Sequence, residues 1–259
     1  MQTFDYMKVL KLDHCKYLTH IPNVSCLPNL EIFSFVRCEK LITIDDSVWH
    51  LNKLEILNAK SCINLKSFPP LRLASLKKLE LSGCGSLKSF PELLCKMTNM
   101  KDILLFQVSV ELPSSFQNLT ELRRVTIRGS GIHSNGCRLS LPKDNDKMNS
   151  IVSNVENLNL QYNIFTDECI SILLKWCANV KYLDLSHNNN FKILPECLNG
   201  CHLLRTLKLD KCTSLEEIRG IPPNLEEFSA FECESLSSSS RRKLLSQVCY
   251  FFLEIVFDI

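Results

Sequence analysis

Glycine is scarce, at 7 of 259 residues. Phosphate-cradling loops use glycine where the backbone must approach the ligand closely, so the shortage speaks against a nucleotide site. Neither G-x-x-x-x-G-K-[ST] nor G-x-G-x-x-G occurs, and the stretch from Gly83 to Lys88 (GCGSLK) lacks the terminal pair of the first motif. No charge of one sign dominates. There are 30 basic and 28 acidic residues, a net charge of +2, whereas a nucleic-acid partner requires a clustered basic excess. No apolar run approaches the roughly 18 residues that would predict a membrane-spanning helix; the longest candidate, Val248–Phe257, is too short and too acidic. The opening residues, MQTFDYMKVLKLDHC, have no basic start followed by an apolar run and a small-residue cleavage site. The expected location is the reducing cytoplasm, alone or shared with the nucleus. The triplets Asn23-Val24-Ser25 and Asn118-Leu119-Thr120 match the glycosylation pattern at chance frequency and carry little weight. There is no C-x-x-C pair and no H-E-x-x-H. The six histidines read as surface side chains. No catalytic residue, cofactor or metal is expected, and so no enzyme.

What the sequence has in place of these is a repeat. The unit L-x-x-L-x-L-x-x-C-x-x-L-x-x-I-P begins at Met7 (MKVLKLDHCKYLTHIP) and returns at Leu30, Leu54, Leu76, Met100, Leu122, Val155, Val180, Leu204 and Leu225. The steps are 23, 24, 22, 24, 22, 33, 25, 24 and 21 residues. All but one fall in the period of leucine-rich repeats. The short L-x-L core predicts a strand with alternate side chains in and out: Leu10 and Leu12 inward, Lys11 and Asp13 to solvent. The C-x-x-L-x-x-I-P part returns along the outer face, where proline's missing donor does no harm. One unit cannot offset the ordering of its own chain, so the units must stack and share a core. The fold class is therefore α/β: a leucine-rich-repeat solenoid, a curved horseshoe of about ten repeats with a parallel β-sheet on its concave face. The repeat domain is expected over residues 1–239. Predicted strands include Val9–Leu12, Leu79–Leu81, Asn157–Leu160 and Thr206–Leu209.

Three features depart from the plain repeat. The 33-residue step contains a polar, turn-rich stretch at about residues 129–154, read either as a tolerated surface insertion or as a loop that helps a partner dock. Asp167–Cys177 has helical apolar spacing, so that return is expected to be a true helix; Trp176 and Trp49 sit on outer returns as packing residues. Residues 240–259 break the repeat and are read as a C-terminal cap or a truncated tail, with Ser240 capping a helix that starts near Arg241.

Fourteen cysteines invite a disulfide or zinc reading. Six of them, Cys15, Cys38, Cys62, Cys84, Cys212 and Cys233, fall at the ninth repeat position, where Asn163 and Asn188 stand elsewhere. Both residue types are small and able to hydrogen-bond a turning backbone. The expectation is a ladder of six buried, unbridged thiols. His14 and His187 lie beside this position, near a turn. Extracellular repeat proteins normally add a cysteine-rich cap before the first repeat, and the repeats here open by residue 7.

Outward strand positions form the reading surface of such a solenoid. They include Asp102, Leu104 and Phe106; Arg124, Thr126 and Arg128; Tyr182, Asp184 and Ser186; and Glu227, Ser229 and Phe231. Leu104 and Phe106 have no folding reason to be apolar there, and two arginines stand beside them. Aromatic and arginine side chains together are the composition of an interface anchor. The candidate partner-binding residues are Leu104, Phe106, Arg124, Arg128 and Tyr182.

The segments Leu10–Pro22 (LKLDHCKYLTHIP), Leu79–Glu92 (LELSGCGSLKSFPE) and Val110–Leu122 (VELPSSFQNLTEL), with 22–24 residue steps, are together similar to one group. They resemble the repeat region of plant disease resistance proteins of the Toll-interleukin-receptor, nucleotide-binding, leucine-rich-repeat class. Ile218–Leu236 (IRGIPPNLEEFSAFECESL) resembles a terminal repeat of such receptors. The likeness spans about residues 7–247. It implies a protein partner, either a pathogen effector or a guarded host protein, and contact with the receptor's own nucleotide-binding domain for autoinhibition. The signalling and nucleotide-binding domains, and the β-sandwich that often follows the repeats, have no counterpart in the sequence, so binding of ATP or ADP and cleavage of NAD are not expected of it. The competing reading is a substrate-recruiting repeat domain of a ubiquitin ligase, whose returns the TDECISILLKWC stretch resembles. No nucleic-acid or membrane partner is expected.

Overall fold

The computed structural model describes residues 3–108, 113–129, 154–176 and 179–248. Ten strands form one parallel sheet in chain order: β1 (Val9–Lys11), β2 (Ile32–Ser34), β3 (Ile56–Asn58), β4 (Lys78–Glu80), β5 (Asp102–Phe106), β6 (Arg124–Arg128), β7 (Asn157–Asn159), β8 (Tyr182–Asp184), β9 (Thr206–Lys208) and β10 (Glu227–Ser229). Each belongs to one repeat unit, and neighbouring strands pair without slippage, as in Leu10 beside Phe33 and Leu183 beside Leu207. The expected strands are present, each ending a residue short of the predicted bound or shifted by one. Two pairs of two-residue strands line the outer side, His20–Ile21 with Thr43–Ile44 and Ile193–Leu194 with Glu217–Ile218, both parallel.

Alternation builds the core. Inward pairs such as Phe33 and Phe35, Leu79 and Leu81, Ile103 and Leu105, and Leu207 and Leu209 are all buried. The first residue of each unit closes the layer, with Leu30, Leu54, Leu76, Met100, Leu122 and Val155 buried in turn. The outer returns are mostly irregular or single 3-10 turns, Asp46–His50, Ser114–Asn118 and Glu196–Gly200. The exception is the expected one: α1 (Asp167–Trp176) is an α-helix. Trp49 is half-buried with its ring edge-on to His50; the Trp176 side chain lies outside the described residues, as does most of the 129–154 insertion.

One backbone feature recurs at the eighth position of nine of the ten units. His14, Arg37, Ser61, Gly83, Gln107, Tyr162, His187, Lys211 and Glu232 all have φ between 55° and 78°. A non-glycine residue there costs about 1 kcal/mol or more unless its surroundings enforce it. Here the next turn enforces it. The eighth-position N–H donates to the following unit's carbonyl: His14 to Val36 at 2.7 Å, Ser61 to Ser82 at 2.7 Å, His187 to Asp210 at 2.7 Å.

The ninth side chain then reaches back. Cys38, Cys62, Cys84, Cys212 and Cys233 donate from sulfur to the carbonyl of Leu12, Phe35, Ala59, Leu185 and Leu209, at 3.0–3.2 Å. Asn163 and Asn188 do the same to Ile127 and Leu160 at 2.8 and 2.9 Å. In every case the acceptor is the sixth residue of the preceding unit. All described cysteines are free thiols. Burial pushes the Cys62 thiol up to about 12 and those of Cys84 and Cys233 to about 11, which makes them poor nucleophiles. Five of the six ladder cysteines are buried; Cys15 is exposed. The expectation of six fails there: among the described residues no turn lies ahead of the first unit to cover Cys15 or offer it a carbonyl.

At the far end, α2 (Ser238–Val248) leaves the solenoid. Ser240 is not its cap. Ser237 Oγ accepts the Ser240 N–H at 3.2 Å, while the buried Ser240 hydroxyl accepts the Ile218 N–H at 3.0 Å and so ties the helix to the last return. The helix thus begins three residues before the expected start.

Gly129 takes the eighth position of the sixth unit. A Cβ there would stand 1.6 Å from the Tyr162 carbonyl oxygen, with the seventh unit packed directly over it. Gly129→Ala is expected to cost about 2–4 kcal/mol, read as a fall in the urea midpoint. At Gly85 an added methyl meets nothing within 4 Å, so Gly85→Ala should shift stability by no more than about 0.5 kcal/mol. Equal midpoints for the two variants would contradict this packing.

Candidate functional site

The five candidate residues all lie on the open face of the sheet. Leu104 and Phe106 are on β5, Arg124 and Arg128 on β6, and Tyr182 on β8. Register places Asp102 beside Arg124, Leu104 beside Thr126, and Phe106 beside Arg128. The four residues of β5 and β6 therefore form one group. Tyr182 is separated from Arg124 by Asn157 of β7, about 10 Å away at ordinary strand spacing.

The fold fixes the backbone under the apolar pair. The Phe106 N–H donates to Ser82 Oγ at 3.1 Å, and the Gly83 N–H donates to the Phe106 carbonyl at 2.7 Å. Their side chains remain out, Leu104 at 38% and Phe106 at 36% exposure. Strand residue Val9 is more exposed, at 47%; what sets this pair apart is that its two apolar side chains share one strand face beside arginines.

The two arginines differ. Arg124 makes a two-pronged pair with Asp102, at 2.7 and 2.8 Å. This holds the Asp102 carboxyl below its usual range and commits much of the guanidinium. Arg128 has no carboxylate partner among the described residues. It lies 5.5 Å from the centre of the Tyr162 ring, a cation–π distance. Tyr162 stacks on His187 with ring centres 4.1 Å apart and planes 14° off parallel, and its hydroxyl lies 3.1 Å from His187 Nε2. Sequence reading missed Tyr162 and treated His187 as plain surface. The available signal was positional: both are eighth residues of adjoining units, and stacked units place such residues in contact.

Farther along, the outward positions close up. Asp184 and Ser186 are buried, not solvent-facing as expected. The Asp184 carboxylate accepts from the Tyr182 hydroxyl at 3.2 Å, from the Ser186 N–H at 3.0 Å, and from the Gln161 amide. Long neighbours lean over the shorter side chains and cover them. Burial, with Asp184 alongside, raises the Tyr182 hydroxyl above its usual value. No group of described residues has the make-up of a metal site, and no described helix is long and apolar enough to cross a membrane.

No family model matches the chain. It is 28% identical over 239 residues, 91% of its length, to disease resistance protein RPS4B of Arabidopsis thaliana. It is 29% identical over 229 residues, 85% of its length, to TMV resistance protein N of Nicotiana glutinosa. These matches span 18% and 19% of the relatives' own lengths. Both relatives are plant disease resistance proteins of the Toll-interleukin-receptor, nucleotide-binding, leucine-rich-repeat class. Among solved structures, the leucine-rich-repeat domain of the type III effector XopL superposes with a TM-score of 0.50 and 18% identity, over 95% of this chain and 75% of that one. That likeness shows the fold, a leucine-rich-repeat solenoid. The chain is a leucine-rich-repeat module similar to defence proteins.

Burial lowers the His187 pKa, nearby Lys211 and Arg128 lower it further, and Asp184 and Asp210 work against them. The neutral ring is the folded form, so its contribution is present above the ordinary value of about 6.5 and is lost as pH falls through the folded value. Proton NMR of the chain should show the His187 ring titrating below the ordinary histidine value of about 6.5. A midpoint at or above that value would contradict the stacked arrangement.

Proposed function

We propose that this leucine-rich-repeat module is the protein-recognition part of an intracellular plant immune receptor, acting by binding and not by catalysis. Its concave face takes a pathogen effector or a guarded host protein. In a full-length receptor the same face also contacts the receptor's own nucleotide-binding domain and restrains it. The observation that carries this reading is the pair Leu104 and Phe106. They are exposed, held on a backbone clamped by the preceding turn, and set beside Arg128. The core does not use them, so folding gives no reason for their apolarity. Apolar and arginine side chains on a rigid platform are what interface anchors are made of. Arg124 contributes less as a free cation, being already paired with Asp102, and serves to fix the edge of the patch. Tyr182 extends the surface along the sheet.

Phe106→Ala and Arg128→Ala should each weaken partner binding roughly tenfold or more, with circular dichroism and urea midpoint unchanged. A cell-death assay of the full-length receptor separates the two roles. Loss of response to the effector marks ligand contact; raised resting activity marks lost restraint. If neither variant changes binding or resting activity, the patch is ordinary surface and this reading fails.

A further inference from the structure

The margin of the sheet where β4, β5 and β6 begin carries an unbalanced charge. The residue before each strand forms a row of ion pairs: Lys8 with Glu31, Lys77 with Glu55, Arg205 with Glu226, and Glu156 with both Arg123 and Lys181, all at 2.7–3.0 Å. Lys101 lies in this row between Lys77 and Arg123, and the Arg123 N–H donates to its carbonyl at 2.8 Å. Both of those neighbours spend their acids on the far side. Lys101 is therefore flanked by two cations; its charge reaches the Asp102 carboxylate, which Arg124 already holds, and it makes no ion pair at contact distance among the described residues. The next row repeats the pattern. Lys78 stands next to Asp102, whose carboxylate is taken up by Arg124, and the other acid near it, Glu80, is buried and accepts the Ser82 N–H. Lys78 and Lys101 are both exposed.

We infer that this margin captures carboxylates of the partner, so that the site takes an acidic protein segment with an apolar side chain close by. The inference rests on the docking face proposed above and adds the partner's chemistry. Leu104 and Phe106 lie two and four residues along the strand from the level of Lys78, about 7 and 13 Å at 3.3 Å per residue, and one residue farther from that of Lys101. An extended segment bridges that distance with two to four residues between its acid and its apolar anchor. A nucleic acid fits poorly: among the described residues only two cations here are left without an ion pair, and the apolar pair offers nothing to a phosphate backbone. Exposed charges of this kind steer association and select partners more than they add affinity, and they are sensitive to salt.

The test uses a displayed library of random peptides selected on the whole chain, with affinities of the selected peptides then measured by fluorescence anisotropy. The expected peptides carry Asp or Glu two to four residues from Leu, Phe or Trp. The double variant K78E/K101E, checked for unchanged circular dichroism, should bind them roughly tenfold more weakly. Raising ionic strength from about 0.05 to 0.5 M should weaken the wild type and leave the variant little changed. Selected peptides without acidic enrichment, or equal affinity for K78E/K101E, would overturn the inference. Loss on Phe106→Ala with no effect of K78E/K101E would leave the docking face standing and remove the acidic partner. Indifference to both would remove the two together. Tighter binding of a single-stranded RNA than of any selected peptide, lost in K78E/K101E, would also overturn it by assigning the margin to phosphate.

Discussion

Everything in this solenoid depends on one contact between successive turns. The sixth residue of a unit ends its strand with a carbonyl that the sheet does not use, and the ninth side chain of the next unit donates to it. The carbonyl also accepts from its own unit's ninth residue, as Ala59 does from the Cys62 N–H at 3.3 Å and Leu160 from the Asn163 amide at 2.9 Å, so each turn-to-turn donor adds about 1 kcal/mol, and the contact recurs through most of the chain. The eighth position goes with it. The backbone reverses abruptly just before the ninth side chain, and residues as different as Arg37, Ser61, Tyr162 and Lys211 accept a positive φ there; His14 and Gln107 do so without a ninth-position donor, held by their own N–H bonds to Val36 and Arg128. Asparagine does more than cysteine in this place. Asn188 donates to the Leu160 carbonyl and also accepts the Asn163 N–H at 2.8 Å. Asn163 Oδ1 is the one buried side-chain nitrogen or oxygen among the described residues without a hydrogen-bond partner.

Because the turns are held by backbone and by inward side chains, the outward side chains are left to chemistry. This is why an exposed Leu104 and Phe106 are informative here, where a loop residue with the same exposure would not be. The freedom is not uniform along the sheet. Around β4 to β6 the face is open, charged at one margin and apolar beyond it. Around β7 to β9 it is closed by its own polar network, with Asp184 at the centre drawing in Gln161, Tyr182 and Ser186. A partner reading the first region meets side chains free to move toward it. In the second it would have to displace hydrogen bonds already made.

Most of the fold was legible because it is written as a period. Each of the ten unit starts leads into a strand of the sheet, and the helical return at Asp167 followed from its apolar spacing. The eighth-position backbone was not legible, since seven of the eight residue types that carry a positive φ there are not glycine and adopt it uncommonly elsewhere, and no composition marks them. Cys15 misled because its sequence context is that of the other ladder cysteines, while burial is supplied by a neighbouring turn. The outward positions of the candidate site followed from alternation along the strands. Their different states did not: Arg124 and Asp102 are joined across strands, Arg128 sits on a ring 34 residues later in the chain, and Asp184 is hydrogen-bonded by Gln161, just past β7, and by Tyr182 on its own strand. Such relations are set by which long side chains lean which way, and alternation is silent on that.

The turn-to-turn donor at the ninth position is tested most directly at Asn188, by equilibrium urea unfolding of the wild type beside Asn188→Cys and Asn188→Val. Valine fills similar space and can neither donate to the Leu160 carbonyl nor accept the Asn163 N–H, so it should lose about 3 kcal/mol or more. Cysteine restores the donor, as Cys212 supplies it to Leu185 at 3.2 Å, and should fall between the two. A valine variant as stable as the wild type would show that apolar filling alone holds the turns together, and would contradict the ladder as the constraint on which the rest of the structure depends.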